Sequence, residues 1–250
     1  MQLITNPARK ALVVTPHPDD AEGGCGATMA KWIKESGSEF TVVMCTNGDK
    51  GTSDRELQPA ELAAMREKEQ RDASSVLGVK DVVFLAHPDG GLEDDLEFRG
   101  QVVRMIRKYQ PDTIFCIDPY RSKSHTHRDH RMSGQVALDA AFTYAWSYLH
   151  FPEQISQEGL QPHRVERAFL WGSETPDSFV ELADDHLELK AESLNRHVSQ
   201  MQRRTRDDRM ERIRRWSGET GEKAGVAYAE GFRRVQFGIG SMEWQFLMVS

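Results

Sequence analysis

Two short stretches concentrate the residues that could do chemistry. The first, "PHPDD" at 16–20, sets His17 three residues before Asp20, with Asp19 beside it. The second, "HTHRDH" at 125–130, gathers three of the chain's nine histidines, His125, His127 and His130, around Asp129. A histidine and a carboxylate three residues apart on a tight turn can both face one ion, and that pair of donors suits zinc. If His17 and Asp20 are two ligands, one histidine of the second stretch completes a three-ligand set. Such a set leaves a coordination position open to water, which separates catalytic zinc from closed structural sites. The remaining histidine and aspartates then serve as acid, base and orienting groups. An aspartate capping a helix would explain one of these carboxylates, but not His17 together with two.

The glycines that follow, Gly23, Gly24 and Gly26, invite a dinucleotide reading. Their spacing is not that of the G-x-G-x-x-G fingerprint. Charge decides against it more firmly. Asp19, Asp20 and Glu22 would stand where a pyrophosphate needs bare backbone N–H groups. An acidic turn repels phosphate and attracts a cation.

The elements that must hold these stretches are legible. Apolar runs at 11–16, 40–46, 82–86, 113–117 and 167–172 read as strands, and helical patterns fall near 24–36, 60–77, 94–109, 131–149 and 184–202. Strict alternation of this kind predicts βαβ units: an α/β, Rossmann-like fold, with a mostly parallel sheet covered by helices on both faces. Gly37 and Gly78 are placed to end the first two helices as left-handed caps, and Pro111 stops the third. Residues 16–22, 46–54, 87–95 and 118–130 each follow a strand. In open α/β sheets such loops meet at the carboxyl ends of the strands, so these four should share one crevice.

No repeat and no linker interrupts residues 1–250, which predicts a single domain with a less regular C-terminal segment from about 203. The formal charge of −7 excludes a globally basic surface for nucleic acid. No apolar run approaches the roughly 18 residues of a membrane span, and the N-terminus lacks the pattern of a secretory signal. The expectation is a cytoplasmic protein bound to neither membrane nor nucleic acid. Cys25, Cys45 and Cys116 are far apart and lack CxxC spacing, so they are expected as buried core residues.

"PHPDD" with "HRDH" at 127–130 resembles the paired signatures of the PIG-L (LmbE-like) zinc-dependent de-N-acetylases. "TNGDKGT" (46–52), "MREKE" (65–69), "HPDGGL" (87–92), "RHVSQM" (196–201) and "YAEGFR" (228–233) extend the likeness along nearly the whole chain. The last two look most like the soluble subgroup acting on N-acetylglucosamine-type sugars, including diacetylchitobiose. The resemblance implies one zinc ion per chain, held by His17, Asp20 and His130. It makes Asp19 the general base and His127 the acid or electrophile on the opposite side, with Asp129 orienting His127. Arg66 and Asp89 match positions that hold sugar hydroxyls, His125 is a further candidate for substrate contact, and His197 approaches from a late helix. The activity implied is removal of an N-acetyl group, releasing acetate and a free amine. A homo-oligomer, commonly a hexamer, is implied as well. One departure stands out: the usual proline of the second signature is Arg128, which removes a fixed φ and adds a charge.

Two rival readings follow from the residues alone. Another metal-dependent hydrolase, for instance one acting on phosphoesters, would want a second metal and more carboxylates than this turn supplies. A non-catalytic binding protein would rest on residues 203–215, where seven arginines are interleaved with Asp207, Asp208 and Glu211. The plainer account of that stretch is a solvated helix laced with i,i+4 pairs.

Overall fold

A computed structural model of the protein describes residues 2–201 and 205–237. The strands are β1 (Gln2–Leu3), β2 (Lys10–Thr15), β3 (Glu39–Thr46), β4 (Asp81–His87), β5 (Thr113–Ile117), β6 (Arg167–Trp171), β7 (Ser178–Leu182) and β8 (Tyr228–Gln236). The helices are α1 (Asp20–Ser36), α2 (Pro59–Leu77), α3 (Leu96–Tyr109), α4 (Arg128–Asp139), α5 (Pro152–Ser156), α6 (Asp184–Asn195), α7 (Val198–Met201) and α8 (Arg206–Ala224). Among the described residues the strands form one sheet in the order β1-β7-β8-β6-β5-β2-β3-β4.

From β6 through β5, β2 and β3 to β4 every pairing is parallel. Side chains alternate between two cores, as a strand buried on both faces requires. Val13, Phe115 and Ile117 pack toward α1 and α6, whereas Leu12, Val14, Ile114 and Cys116 pack toward α3 and α4. The expected α/β architecture with helices on both faces is therefore present. All three cysteines are buried and unpaired, as expected.

The chain leaves β2 toward β3 and β4, then returns to β5 on the other side of β2. That reversal puts a crevice at the carboxyl ends of β2 and β5. "PHPDD" follows β2 and "HTHRDH" follows β5, so the topology alone brings the two stretches together.

Three expectations are corrected. The pattern at 131–149 does not run as one helix: α4 ends at Asp139, a wide turn covers 140–144, and Thr143 has φ 69°. The cause is Arg107. Fully buried on α3, it donates to the carbonyls of Tyr144, Ala145, Ser147, His150 and Phe151 and holds that segment as a loop. The pattern at 184–202 divides after Asn195 into α6 and the short α7, and 202–204 lie outside the described residues. The segment beyond 203 is more regular than expected. It contains α8 and then β8, which enters the sheet antiparallel between β6 and β7. The apolar end, 238–250, lies outside the described residues.

The arginines of α8 find partners mainly across its packing interface. Arg214 grips Asp184 of α6 through two bonds, at 2.7 and 2.6 Å, and Arg209 donates to the Met201 carbonyl at 2.9 Å. Arg215 with Glu219 is an i,i+4 pair, at 3.9 Å. Among the described residues no helix is long and apolar enough to cross a membrane.

Candidate active site

The turn after β2 is held in an uncommon conformation. Asp19 has φ 95°, a left-handed geometry that non-glycine residues rarely adopt and that tends to cost about 1–3 kcal/mol. Two side chains from α2 support it. Gln70 accepts the Asp19 backbone N–H at 3.2 Å, and Arg66 donates to the Pro18 carbonyl at 2.7 Å. Arg66 also donates to the Gly48 carbonyl at 2.9 Å and lies 3.7 Å from the Asp19 carboxylate. Its guanidinium fills space that a Cβ at Gly48 or Gly51 would enter, which explains the glycines of "TNGDKGT".

The Asp20 carboxylate is the centre of the arrangement. Its Oδ2 lies 3.2 Å from His17 Nδ1 and 3.2 Å from His130 Nε2. A tetrahedral zinc with bonds of about 2.0–2.1 Å would set its ligand atoms about 3.3–3.4 Å apart. The observed separations fit that geometry. On the opposite side of the His17 ring, Nε2 is 3.1 Å from Asp129 and 3.2 Å from Asp89. A carboxylate behind a ligating imidazole fixes its tautomer and frees the other nitrogen for the metal. The donor set and its backing therefore fit a divalent ion at His17, Asp20 and His130.

A second grouping, His17, Asp89, His127 and Asp129, also brings donor atoms close. Asp129 is committed elsewhere, however. Fully buried, its carboxylate accepts the Gly90 N–H at 2.6 Å and the Leu92 N–H at 3.1 Å besides facing His17. Its place is behind the ligands.

The carboxylates around His17 make this a place that favours positive charge, a proton on the imidazole or a cation in its stead. Burial works against a charged imidazole at His17, yet hydrogen bonds to Asp129, Asp20 and Asp89 outweigh it and push its pKa up to about 11. Burial would raise Asp20, but contacts with His130 and His17 hold it well below the usual carboxylate range. Asp19 moves in the other direction. Burial and the neighbouring Asp20 lift its carboxyl to about 7, against the pull of Arg66 and His197. Two adjacent aspartates thus have opposite tendencies: one stays ionised and the other is poised to exchange a proton near neutrality.

His127 occupies the N-cap of α4. Its Nδ1 accepts the Asp129 backbone N–H at 3.2 Å, so the neutral ring bears its proton on Nε2. The Asp129 carboxylate is 3.9 Å from the same nitrogen. It is thus the backbone of Asp129 that orients His127, while its carboxylate orients His17. The loop leading to His127 is pinned by Glu174, which accepts the N–H groups of Ser122, Lys123 and Ser124 at 2.8–2.9 Å. Asp118, at the start of the loop, is held by two 2.9 Å bonds from Arg233 of β8.

The cleft has a volume of about 420 Å³, and His17, Asp19, Asp20, Arg66, Asp89, His127 and His130 all line it. Seven of the nine candidate residues are thereby gathered in one place, and Asp129 stands directly behind them. His125 does not join them. It is exposed and its ring lies 3.4 Å from Arg131. Asp89 is in the wall, turned toward His17 and the Lys50 N–H rather than standing clear in the cleft. Arg128 points away, donating to the Leu92 carbonyl at 2.9 Å and reaching Glu93 at 3.1 Å, so the charge that replaces proline ties α4 to the neighbouring loop. His197 is fully buried behind Asp19, 3.4 Å from the equally buried Glu22.

A family model described as PIG-L, GlcNAc-PI de-N-acetylase, matches residues 12–141. The chain belongs to the PIG-L family. The matched span carries every residue of the cleft named above. A diacetylchitobiose deacetylase from Thermococcus kodakarensis is 30% identical over 230 residues, 92% of this chain and 84% of that protein. A mycothiol S-conjugate amidase from Streptomyces coelicolor is 30% identical over 62% of this chain and 59% of its own length. Among solved structures, the N,N'-diacetylchitobiose deacetylase from Pyrococcus horikoshii superposes with a TM-score of 0.84 at 32% identity, covering 95% of this chain and 89% of that one.

Within this PIG-L chain, Gln70 carried no sequence signal as a site residue, and Glu22 was marked only by the acidity of its turn. Each reads as an ordinary polar position on a helix, and only their burial beneath Asp19 reveals them. Lys50 and Gln200 fall inside the stretches "TNGDKGT" and "RHVSQM" without being singled out there, and both line the cleft.

Proposed function

We propose that the protein is a zinc-dependent hydrolase that removes the N-acetyl group from an N-acetylglucosamine-type sugar, yielding acetate and a free amine. The observation that carries this reading is the single Asp20 oxygen shared by His17 and His130 at 3.2 Å, with the proton-exchanging Asp19 next to it. His17, Asp20 and His130 hold one divalent ion, which when bound polarises the amide carbonyl and lowers the pKa of water.

The rest of the chemistry belongs to the chain. Asp19 takes a proton from the water that attacks the acetamide carbon. His127 offers its Nε2–H to the carbonyl oxygen as negative charge develops there. When the C–N bond breaks, Asp19 returns its proton to the departing nitrogen. Arg66 and Gln70 keep Asp19 in place throughout, and Asp129 keeps the imidazole of His17 turned. Arg66 and Asp89, which the resemblance matches to sugar-hydroxyl positions, shape the wall of the cleft while their polar groups hold the Pro18 and Gly48 carbonyls and His17.

A panel of N-acetylated sugars, scored for acetate and free amine with and without a chelator, tests the reading. Stoichiometric acetate and amine, abolished by the chelator, is the expected result. Phosphate release from model phosphoesters with no acetate from any sugar would replace it with the rival hydrolase.

A further inference from the structure

Helix α1 is broken five residues after it begins. Cys25 has φ −141° and ψ 19°, outside the helical range, and the break separates a single turn, 20–24, from the body of the helix, 26–36. That turn carries Asp20, one of the proposed ligands, and Glu22, which accepts the Gln70 amide at 2.7 Å. In an unbroken helix the Ala27 N–H would donate to the Gly23 carbonyl. Here both groups have partners from distant parts of the chain. The Ala27 N–H donates to the Glu230 carboxylate of β8 at 3.2 Å, and Lys190 of α6 donates to the Gly23 carbonyl at 2.7 Å. Lys190 meets the same Glu230 oxygen at 2.7 Å. An ion pair thus spans the place where one ladder bond would have closed.

Each charge has the sign that its end of the break requires. The N–H groups that open the body of the helix carry partial positive charge, and they face the carboxylate. Its other oxygen accepts the Thr28 N–H at 2.8 Å and the Thr28 hydroxyl at 2.6 Å. The Gly23 carbonyl, with partial negative charge, faces the ammonium. Both side chains are buried. A buried ion pair seldom adds stability over an apolar pair of the same shape, so stability alone does not explain one at a helix break.

The angle of the first turn decides where Asp20 stands. Asp20 is five residues, about 7.5 Å of helix rise, from Cys25. A tilt of about 10° would move it by about 1.3 Å, whereas a metal–ligand bond tolerates about 0.2 Å. Trp171, at the end of β6, backs the turn: a Cβ on Gly24 would lie 2.5 Å from its ring.

Resting on the metal-binding reading, we propose that Lys190 and Glu230 are positioning residues for the metal site. By holding α1 open at Cys25, they keep the Asp20 oxygen at 3.2 Å from both His17 and His130. Without the pair, the Ala27 N–H and the Gly23 carbonyl are each other's nearest replacement partners. The ladder then closes, the turn rejoins the helix and Asp20 leaves its place between the imidazoles.

The test measures zinc Kd by competition with a chromophoric chelator, and the visible spectrum of the cobalt-loaded protein. The double variant Lys190→Met/Glu230→Gln removes both charges, so neither is left buried alone. Thr28→Val removes only the hydroxyl that donates to Glu230. Ser38→Ala, which loses a comparable buried bond to the Ala8 carbonyl at the other end of α1, is the control. Zinc Kd is expected to rise about tenfold or more in the double variant and about threefold in Thr28→Val, the scale seen when groups behind metal ligands are lost. The cobalt spectrum changes in both, and the control keeps the wild-type Kd and spectrum. Folded variants with wild-type Kd and spectrum, or an equal loss in Ser38→Ala, overturn the positioning role alone. If the double variant does not fold, Thr28→Val decides by the same criterion. Wild-type protein that takes up no zinc overturns the metal-binding reading, and the role falls with it.

Discussion

The side-chain oxygen of Gln70 accepts the backbone N–H of Asp19 at 3.2 Å, and through that bond a helix on the flank of the sheet sets the conformation of the residue proposed as the base. The other end of the Gln70 amide is fixed too. It donates to Glu22 at 2.7 Å and Ser74 at 3.0 Å, so the group cannot rotate without losing both. Gln70→Met keeps the side-chain volume but removes the support. The expected outcome is a fall in kcat of about tenfold or more at unchanged metal content, with about 1–3 kcal/mol lost from stability through the unsatisfied Asp19 N–H and Glu22. Metal analysis, steady-state kinetics and a denaturant titration on the same preparation check it. Wild-type kcat would remove Gln70 from its positioning role.

Asp19→Asn separates the base from the metal ligands. Asparagine retains the shape and tolerates the left-handed backbone, but it cannot accept a proton from water. Metal content should stay at the wild-type level while turnover drops by about 10²–10⁴-fold. His17→Ala should instead lose the metal together with the activity.

The pH profile follows from the raised Asp19 carboxyl. Asp19 works as a base only when ionised, and its pKa lies at about 7 rather than near 4. Activity should therefore fall as the pH drops, with a limb in kcat/KM at or below about 7, since a cation held beside Asp20 pulls the Asp19 value down. Arg66 lowers this value, so Arg66→Met should move the limb to higher pH. A profile flat down to pH 5 contradicts the assignment.

Arg107 has no part in the chemistry, yet its loss should be costly. The side chain is 1% exposed and is the common donor to five carbonyls of residues 144–151 and to Gln154. Arg107→Met should cost about 3–5 kcal/mol of stability, the range expected when several buried acceptors lose their donor. Chemical denaturation measures this directly.

Much of this architecture could be read from residue order, and the exceptions have physical causes. Strands β2, β3, β5 and β6 are rich in Val, Ile, Phe and Leu because both of their faces are covered. β8 hid itself because it carries Glu230, Gly231, Arg233 and Arg234. The buried Glu230 is satisfied by Thr28 at 2.6 Å and Lys190 at 2.7 Å, and Arg233 reaches out to Asp118, pairings that only the folded sheet creates. The helical period at 131–149 was real, but Arg107, some forty residues earlier, captured the carbonyls that the last turns needed. His17 and Asp20 were legible because imidazole and carboxylate on one tight turn have few other uses, whereas the choice of His130 over His125 and His127 came from the family resemblance alone. Gln70 was not, and Glu22 and Gln200 showed only as part of an acidic turn and of a longer motif, since a polar residue on a helix reads as solvent-facing until its burial is known. The role of Asp129 was divided differently from expectation, its carboxylate serving His17 and its backbone serving His127.

The proposed ligands His17, Asp20 and His130 should together hold one divalent ion. Equilibrium dialysis against zinc, read by elemental analysis, measures it on wild type and on His17→Ala, Asp20→Ala and His130→Ala, with circular dichroism confirming that each remains folded. One equivalent of zinc per chain is expected in wild type, with loss of tight binding in all three variants. Wild-type protein that takes up no metal, or folded variants that each retain a full equivalent, would contradict it.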